Sequence, residues 1–147
     1  MAGEVENMFR RFMVRQAHFF DSLPKKAKQK LAEVEDKYAV LRVTGEEGGV
    51  FYFRYKGQRL QLLDQAPPVA YEKLDKFWLD GDLMNYPSGY EVLMDVIDGS
   101  LSPRAVVSHH YLRSNTDKII YDTEEFAQAF EQFLAEMRMI LGGRSAS

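Results

Sequence analysis

The stretch YAVLRVTGEEGGVFYFRYKGQRLQLL, residues 38–63, decides the fold. Tyr38 to Thr44, Val50 to Tyr55 and Gln58 to Leu63 are dense in β-branched and aromatic residues, which suit a pleated, half-buried surface. Gly45-Glu46-Glu47-Gly48-Gly49 separates the first two runs and reads as a turn. Lys56-Gly57 separates the second and third and predicts a tight hairpin, because glycine accepts positive φ. Three strands joined by short turns predict an antiparallel meander.

On either side the apolar period changes from two to about 3.6, the mark of helices. Upstream, Val5, Met8, Phe9, Phe12, Met13, Phe19 and Phe20 fall mostly three and four apart, with Arg10, Arg11 and Arg15 on the other side. This predicts an amphipathic helix over residues 1–21. Asp21-Ser22-Leu23-Pro24 interrupts it. Ser22 is expected to cap a second helix, with Pro24 in its first turn and Leu23, Ala27, Leu31 and Val34 inward.

Downstream, Pro67-Pro68 marks a break. Tyr71 to Leu79 predicts a short helix, and Leu83 to Tyr86 a short fourth strand. Ser88-Gly89-Tyr90-Glu91 spells a capping box. Tyr90, Leu93, Met94 and Ile97 then line one helical face, and Gly99 stops the helix. Ser102 and Pro103 start another short helix. His109 to Ile120 reads as turn or strand, and Ile119, Ile120 and Tyr121 suggest an edge strand. Asp122-Thr123-Glu124-Glu125 opens a last helix whose stripe is Phe126, Phe130, Phe133, Leu134, Met137, Ile140 and Leu141. Gly142-Gly143 is expected to end it. The sum is an α+β fold, an antiparallel sheet covered by helices on one face. One domain spans residues 22–141, after the N-terminal helix 1–21 and before a flexible tail, 142–147.

The 147 residues suit one domain, and 46% apolar with 28% charged residues is a globular composition rather than a disordered one. Ten Phe, eight Tyr and one Trp exceed what a small core requires, so they fill an aromatic core or line an apolar cavity. A net charge of −3 excludes a domain-wide basic footprint, so no nucleic acid partner is expected. The absence of cysteine removes disulfides, thiolate catalysis and cysteine zinc sites. No run reaches the about 18 apolar residues of a membrane span, and the charged N-terminus lacks a signal peptide's apolar centre. A soluble, cytoplasmic protein is expected. Lys25, Lys26, Lys28 and Lys30, following Arg10, Arg11 and Arg15, form either a solvated amphipathic face or a local contact for anionic lipid headgroups or nucleic acid.

Catalytic patterns are scarce. The histidines are His18, His109 and His110, and none has the i, i+4 spacing of helical metal ligands. There is no G-x-G-x-x-G, no G-x-x-x-x-G-K and no G-x-S-x-G. The carboxylates read mostly as caps and solvated faces. No enzyme activity, metal or cofactor is expected, although an enzyme using His109 or His110 is a further reading.

Val92-Leu93-Met94-Asp95-Val96-Ile97-Asp98-Gly99-Ser100-Leu101-Ser102-Pro103 resembles the sterol carrier protein type 2 family. In that family a helix ends in Gly, a basic or polar residue, a Leu, a small polar residue and Pro follow, and then come a short helix and a strand carrying an apolar residue, here Leu112. The order of elements resembles the family over about Leu23 to Leu141. Two departures are His110, where the family usually has Gly, and Ser114-Asn115-Thr116-Asp117 in place of its usual strand end and turn. A third is a longer stretch from Gln65 to Tyr86. The resemblance implies a non-enzymatic domain that binds or transfers a lipid or other hydrophobic small molecule between sheet and helices. Its implied ligand-binding residues are Phe51 and Phe53 from the sheet, Leu93, Met94 and Ile97 from the motif helix and Val106 from the short helix. Phe130, Phe133 and Met137 complete the set from the last helix. The alternative is a protein-interaction subunit that binds no ligand and uses the aromatic N-terminal helix. The oligomeric state is not legible in the sequence.

Overall fold

A computed structural model of the protein describes residues 3–115 and 124–145. Strands β1 (Tyr38–Val43), β2 (Gly49–Lys56) and β3 (Arg59–Leu62) form the expected meander. Lys56 pairs with Arg59, and Gly57 and Gln58 between them have φ of 61° and 58°. Positive φ at both central residues is what a type I′ hairpin turn demands.

The segment Tyr71 to Leu79 is not a helix. It makes a 3₁₀ turn at Tyr71–Lys73 and then strand β4 (Asp75–Leu79). The run Phe77-Trp78-Leu79 hides the strand's alternation, which the pairing with β1 brings out. Asp75, Phe77 and Leu79 stand beside Ala39, Leu41 and Val43 on one face, while Lys76 and Trp78 stand beside Val40 and Arg42 on the other. That pairing is parallel, so the sheet is mixed rather than wholly antiparallel. Its order is β3-β2-β1-β4-β5, with β5 (Leu112–Ser114) antiparallel to β4.

Because β3 and β4 run the same way, the chain needs a crossover of about a dozen residues between them. It lies on the outer face, where the Tyr71 ring sits 5.8 Å from the Arg42 guanidinium and 4.7 Å from the Lys76 ammonium. Val40 on this face is fully buried. Leu83 to Tyr86 forms a loop instead of a strand. The Asp82 carboxylate accepts the N–H groups of Met84, Asn85 and Tyr86 at 3.1, 2.8 and 3.0 Å, and this local capture competes with strand pairing. The suggested strand at Ile119 to Tyr121 lies outside the described residues.

Helices α1 (Glu4–Asp21), α2 (Lys25–Glu33), α3 (Gly89–Asp98), α4 (Pro103–Ser108) and α5 (Glu124–Ser145) supply the other layer. Ser22 ends α1 instead of capping α2, its N–H and hydroxyl both bonding the last carbonyls of α1. Pro24 stands at the N-cap of α2. Ser102 caps α4 by accepting the Ala105 N–H at 3.1 Å, and Gly99 closes α3 at φ 94°. At Ser88 the capping box is only half made, since its hydroxyl donates to the Glu91 carboxylate and accepts no backbone N–H. Thr44 takes over instead, accepting the Gly89 N–H on its hydroxyl at 2.8 Å and the Tyr90 N–H on its carbonyl at 3.0 Å. Only glycine permits this docking, because a Cβ on Gly89 would lie 1.9 Å from the Leu79 carbonyl oxygen. Helix α5 runs through Gly142-Gly143 to Ser145, past the predicted stop. A glycine in a helix interior costs only about 1 kcal/mol relative to alanine, so it does not oblige a helix to end.

Two apolar clusters form between the layers. One joins Phe19, Phe20, Leu23, Ala27, Leu31 and Val34 to Ala39, Tyr55 and Phe133. The other joins Val92, Val96, Val106, Tyr111 and Leu134 to Val43 and Leu79. Each fully buried side chain of this size contributes roughly 1.5–3 kcal/mol.

Edge strand β3 is closed by a side chain. The Gln16 amide donates to the Leu60 carbonyl at 2.7 Å and accepts the Leu60 N–H at 2.8 Å, as a neighbouring strand would. Replacing Gln16 by Ala leaves both Leu60 groups without that partner, and we expect a loss of about 1–3 kcal/mol in urea unfolding. At the end of α4, His110 has φ 61°, a left-handed conformation unfavourable to a residue with a Cβ. His110→Gly is expected to raise the urea midpoint by the equivalent of about 0.5–1 kcal/mol, with an unchanged m-value.

Candidate functional site

Along β1, the inward residues Ala39 and Val43 are buried, each inside one cluster, while Leu41 between them is only half-buried. The strand register extends this position across the sheet. Phe51, Leu41, Phe77 and Ser114 lie side by side on β2, β1, β4 and β5, and all four are half-buried. The middle of the sheet's inner face is thus a half-buried row whose three apolar members bridge the clusters, Phe77 packing on the first and Leu41 and Phe51 on the second. An inward residue of a central strand is ordinarily among the most buried in a fold, and this row departs from that.

Aromatic rings wall the row. Phe9 of α1 stands edge-on to Phe51 at 4.9 Å and to Phe53 at 5.8 Å. Phe130 of α5 packs against both clusters and stacks with Phe133 at 6.5 Å. Phe133 in turn meets Phe12 at 5.0 Å. The aromatic rings of α1 therefore face the sheet and α5, and Val14, 80% exposed, is on its solvent side.

The nine implied ligand-binding residues are distributed over this layer unequally. Phe51 and Phe130 are half-buried beside the row, and Phe53 and Phe133 are buried. Met137 packs on the first cluster, and Val106 and Leu93 on the second. Met94 and Ile97 are half-buried on α3 and belong to neither cluster. The buried stripe of α3 is Gly89, Val92 and Val96, turned toward the sheet by the Gly89 contact, so Met94 points away from it. Leu41 and Phe77 of the row, and Phe9 of α1 beside it, were not among the nine. The alternation Asp75, Phe77, Leu79 is the sequence signal that could have found Phe77.

Helix α5 is fastened over this layer through Arg138. Its guanidinium donates to the Ile97 carbonyl at 2.7 Å and the Val96 carbonyl at 2.8 Å, satisfying the open end of α3. A separate groove of about 320 Å³ lies on the outer face between Tyr38, Arg54 and Gln61 and the start of the crossover at Leu63, Pro67 and Pro68. None of the nine residues lines it.

His109 and His110 are exposed, and the His109 ring lies 5.7 Å from Tyr111. Tyr111 donates to Asp82 at 2.7 Å, and Tyr86 donates to Asp95 at 2.7 Å. These pairs brace the loop after β4. The Tyr111 hydroxyl and the backbone N–H groups of Tyr86 and Asn85 hold the Asp82 carboxyl well below the usual carboxylate range. Among the described residues no group of three His, Asp or Glu is placed to hold a metal ion, and no helix is long and apolar enough to cross a membrane. No protein-family model, no curated protein and no solved structure matches the chain.

The hydrogen bond to Asp95, followed by burial, pushes the Tyr86 hydroxyl up to about 12. An unfolded tyrosine ionises near 10. The native state therefore binds this proton more tightly, and the associated stability is present below about pH 10 and lost as pH rises toward 12. Tyr86→Phe is expected to make the fall of the urea midpoint between pH 10 and 12 less steep while leaving the slope near pH 7 unchanged.

Proposed function

We propose that the protein is a non-enzymatic carrier that binds a lipid or other hydrophobic small molecule between its sheet and its helices. The observation that carries this reading is the half-buried row Phe51–Leu41–Phe77 at the centre of the inner face. Each methylene of an apolar chain laid along it would yield roughly 0.8 kcal/mol. Phe9 and Met137 provide a ring edge and a flexible thioether that adapt to chain shape. The order of elements, helices, three strands, the two-helix segment α3–α4, β5 and a last helix, supports the reading because the sterol carrier resemblance implies the same order. The same family usually has Gly at the position of His110, and the left-handed backbone there suits that residue.

Loading would require α1 or α5 to lift from the row. Lys25 and Lys26 on α2 are exposed, and Lys30 has an ion pair with Glu33 at 3.9 Å. Such a lysine cluster suits a transient contact with anionic headgroups, where a carrier would collect or deliver its ligand.

A pyrene-labelled long-chain alcohol tests the reading. It is expected to bind the purified protein saturably, and native mass spectrometry is expected to detect co-purified lipid. Leu41→Trp, which fills the row, should weaken binding about tenfold or more with the far-UV spectrum unchanged. No binding and no co-purified lipid would overturn the proposal.

A further inference from the structure

The outer face of the sheet carries a groove separate from the apolar row. Tyr38, Arg54 and Gln61 stand side by side on β1, β2 and β3 and form its floor. Leu63, Pro67 and Pro68, at the start of the crossover, line its other side. Proline has no N–H to donate, so this part of the crossover does not pair as a strand, and a space is left beside the sheet. Its volume of about 320 Å³ lies at the low end for small-molecule sites.

The floor holds an incompletely bonded cation. Arg54 donates from one Nη to Asp36 at 2.7 Å, while its Nε is buried with no hydrogen-bond partner. Buried donors are ordinarily paired, so this one calls for an acceptor. Asp36 is shared with Lys56 at 3.3 Å, so two cations meet one carboxylate and a positive charge is left over. The lining acid, Asp64, is 88% exposed, where solvent screens it, and has Arg10 at 3.4 Å. Polar groups thus converge on one side of a space whose other side is apolar, the usual make-up of a ligand site.

We infer that this groove binds a small aromatic carboxylate, its carboxylate on the Arg54 fork and its ring between Tyr38 and the two prolines. A guanidinium matches a carboxylate with two parallel hydrogen bonds. Water does not reach the Nε, so pairing it takes a turn of the guanidinium toward the ligand, and the Arg54 side chain is 33% exposed and faces open space there. One surplus positive charge suits a monoanion better than a phosphate ester with two charges. The Tyr38 ring offers an offset-stacking face, and the proline rings offer an apolar one. This site is on the opposite face from the apolar row and does not rest on the carrier reading.

The experiment titrates the full chain with 2-naphthoate and with the neutral 2-naphthamide at pH 7.5, followed by amide chemical shifts. The naphthoate is expected to bind saturably with a Kd below about 1 mM, and the amide about tenfold more weakly. The shifts should centre on Tyr38, Arg54, Gln61 and Leu63. Arg54→Gln should weaken the naphthoate about tenfold and leave the amide nearly unchanged. If Arg54→Gln does not fold, Gln61→Trp, which fills the groove from an exposed position of β3, should weaken both probes. No saturable naphthoate binding, equal binding of the two probes, or shifts centred on the inner-face row overturns the inference. Unchanged affinity for the naphthoate in a folded Arg54 variant overturns it as well. Each of these results leaves the carrier reading standing.

Discussion

The parallel pairing of β4 with β1 is the constraint on which the remaining architecture depends. A meander alone would leave β1 as an edge, with a row of open N–H and C=O groups. Parallel addition closes that edge and obliges the chain to cross the outer face first, which puts the 63–74 segment on one side of the sheet. Helices α3, α4 and α5 then pack on the other side, where α3 docks on the strand ends through Gly89 and Thr44. Its register sets Phe77 beside Leu41, which the meander already pairs with Phe51, and so completes the apolar row that carries the functional reading.

Fastening and openness are separated in space. The helices are held at the ends of the layer by polar devices, Gln16 on Leu60, Thr44 on the start of α3 and Arg138 on the end of α3. The two apolar clusters sit near those fastenings. Between them lie aromatic contacts, Phe9 edge-on to Phe51 and Phe130 stacked beside Phe133.

The legibility of these features in the sequence follows the range of the interactions. The meander, the Gly99 stop and the Ser102-Pro103 start were readable because each is decided within a few residues, by alternation, by positive φ or by a cap. Strand β4 was not, since Phe77-Trp78-Leu79 fits a helix or a strand equally well and only β1 chooses between them. Ser88 shows the same limit at a cap. Its motif was present, but Thr44, distant in sequence, supplied the acceptors. Among the candidate site residues, Phe51 and Phe130 were readable as apolar positions of periodic elements. Leu41, Phe77 and Phe9 were not distinguishable from ordinary core, because partial burial is a property of the assembled layer.

By itself, then, the sequence determined that the chain is an α+β domain rich in aromatic side chains, with helices to cover one face of a sheet and with neither cysteine nor a catalytic motif. Those properties reside in composition and in short-range periodicity. Tertiary structure alone decided that the sheet is mixed and that Phe51, Leu41 and Phe77 meet in a half-buried row at the centre of its inner face. The physical reason is that register couples residues across strands far apart in the chain, and a neighbour's side chain, not the local pattern, decides which positions are closed to water.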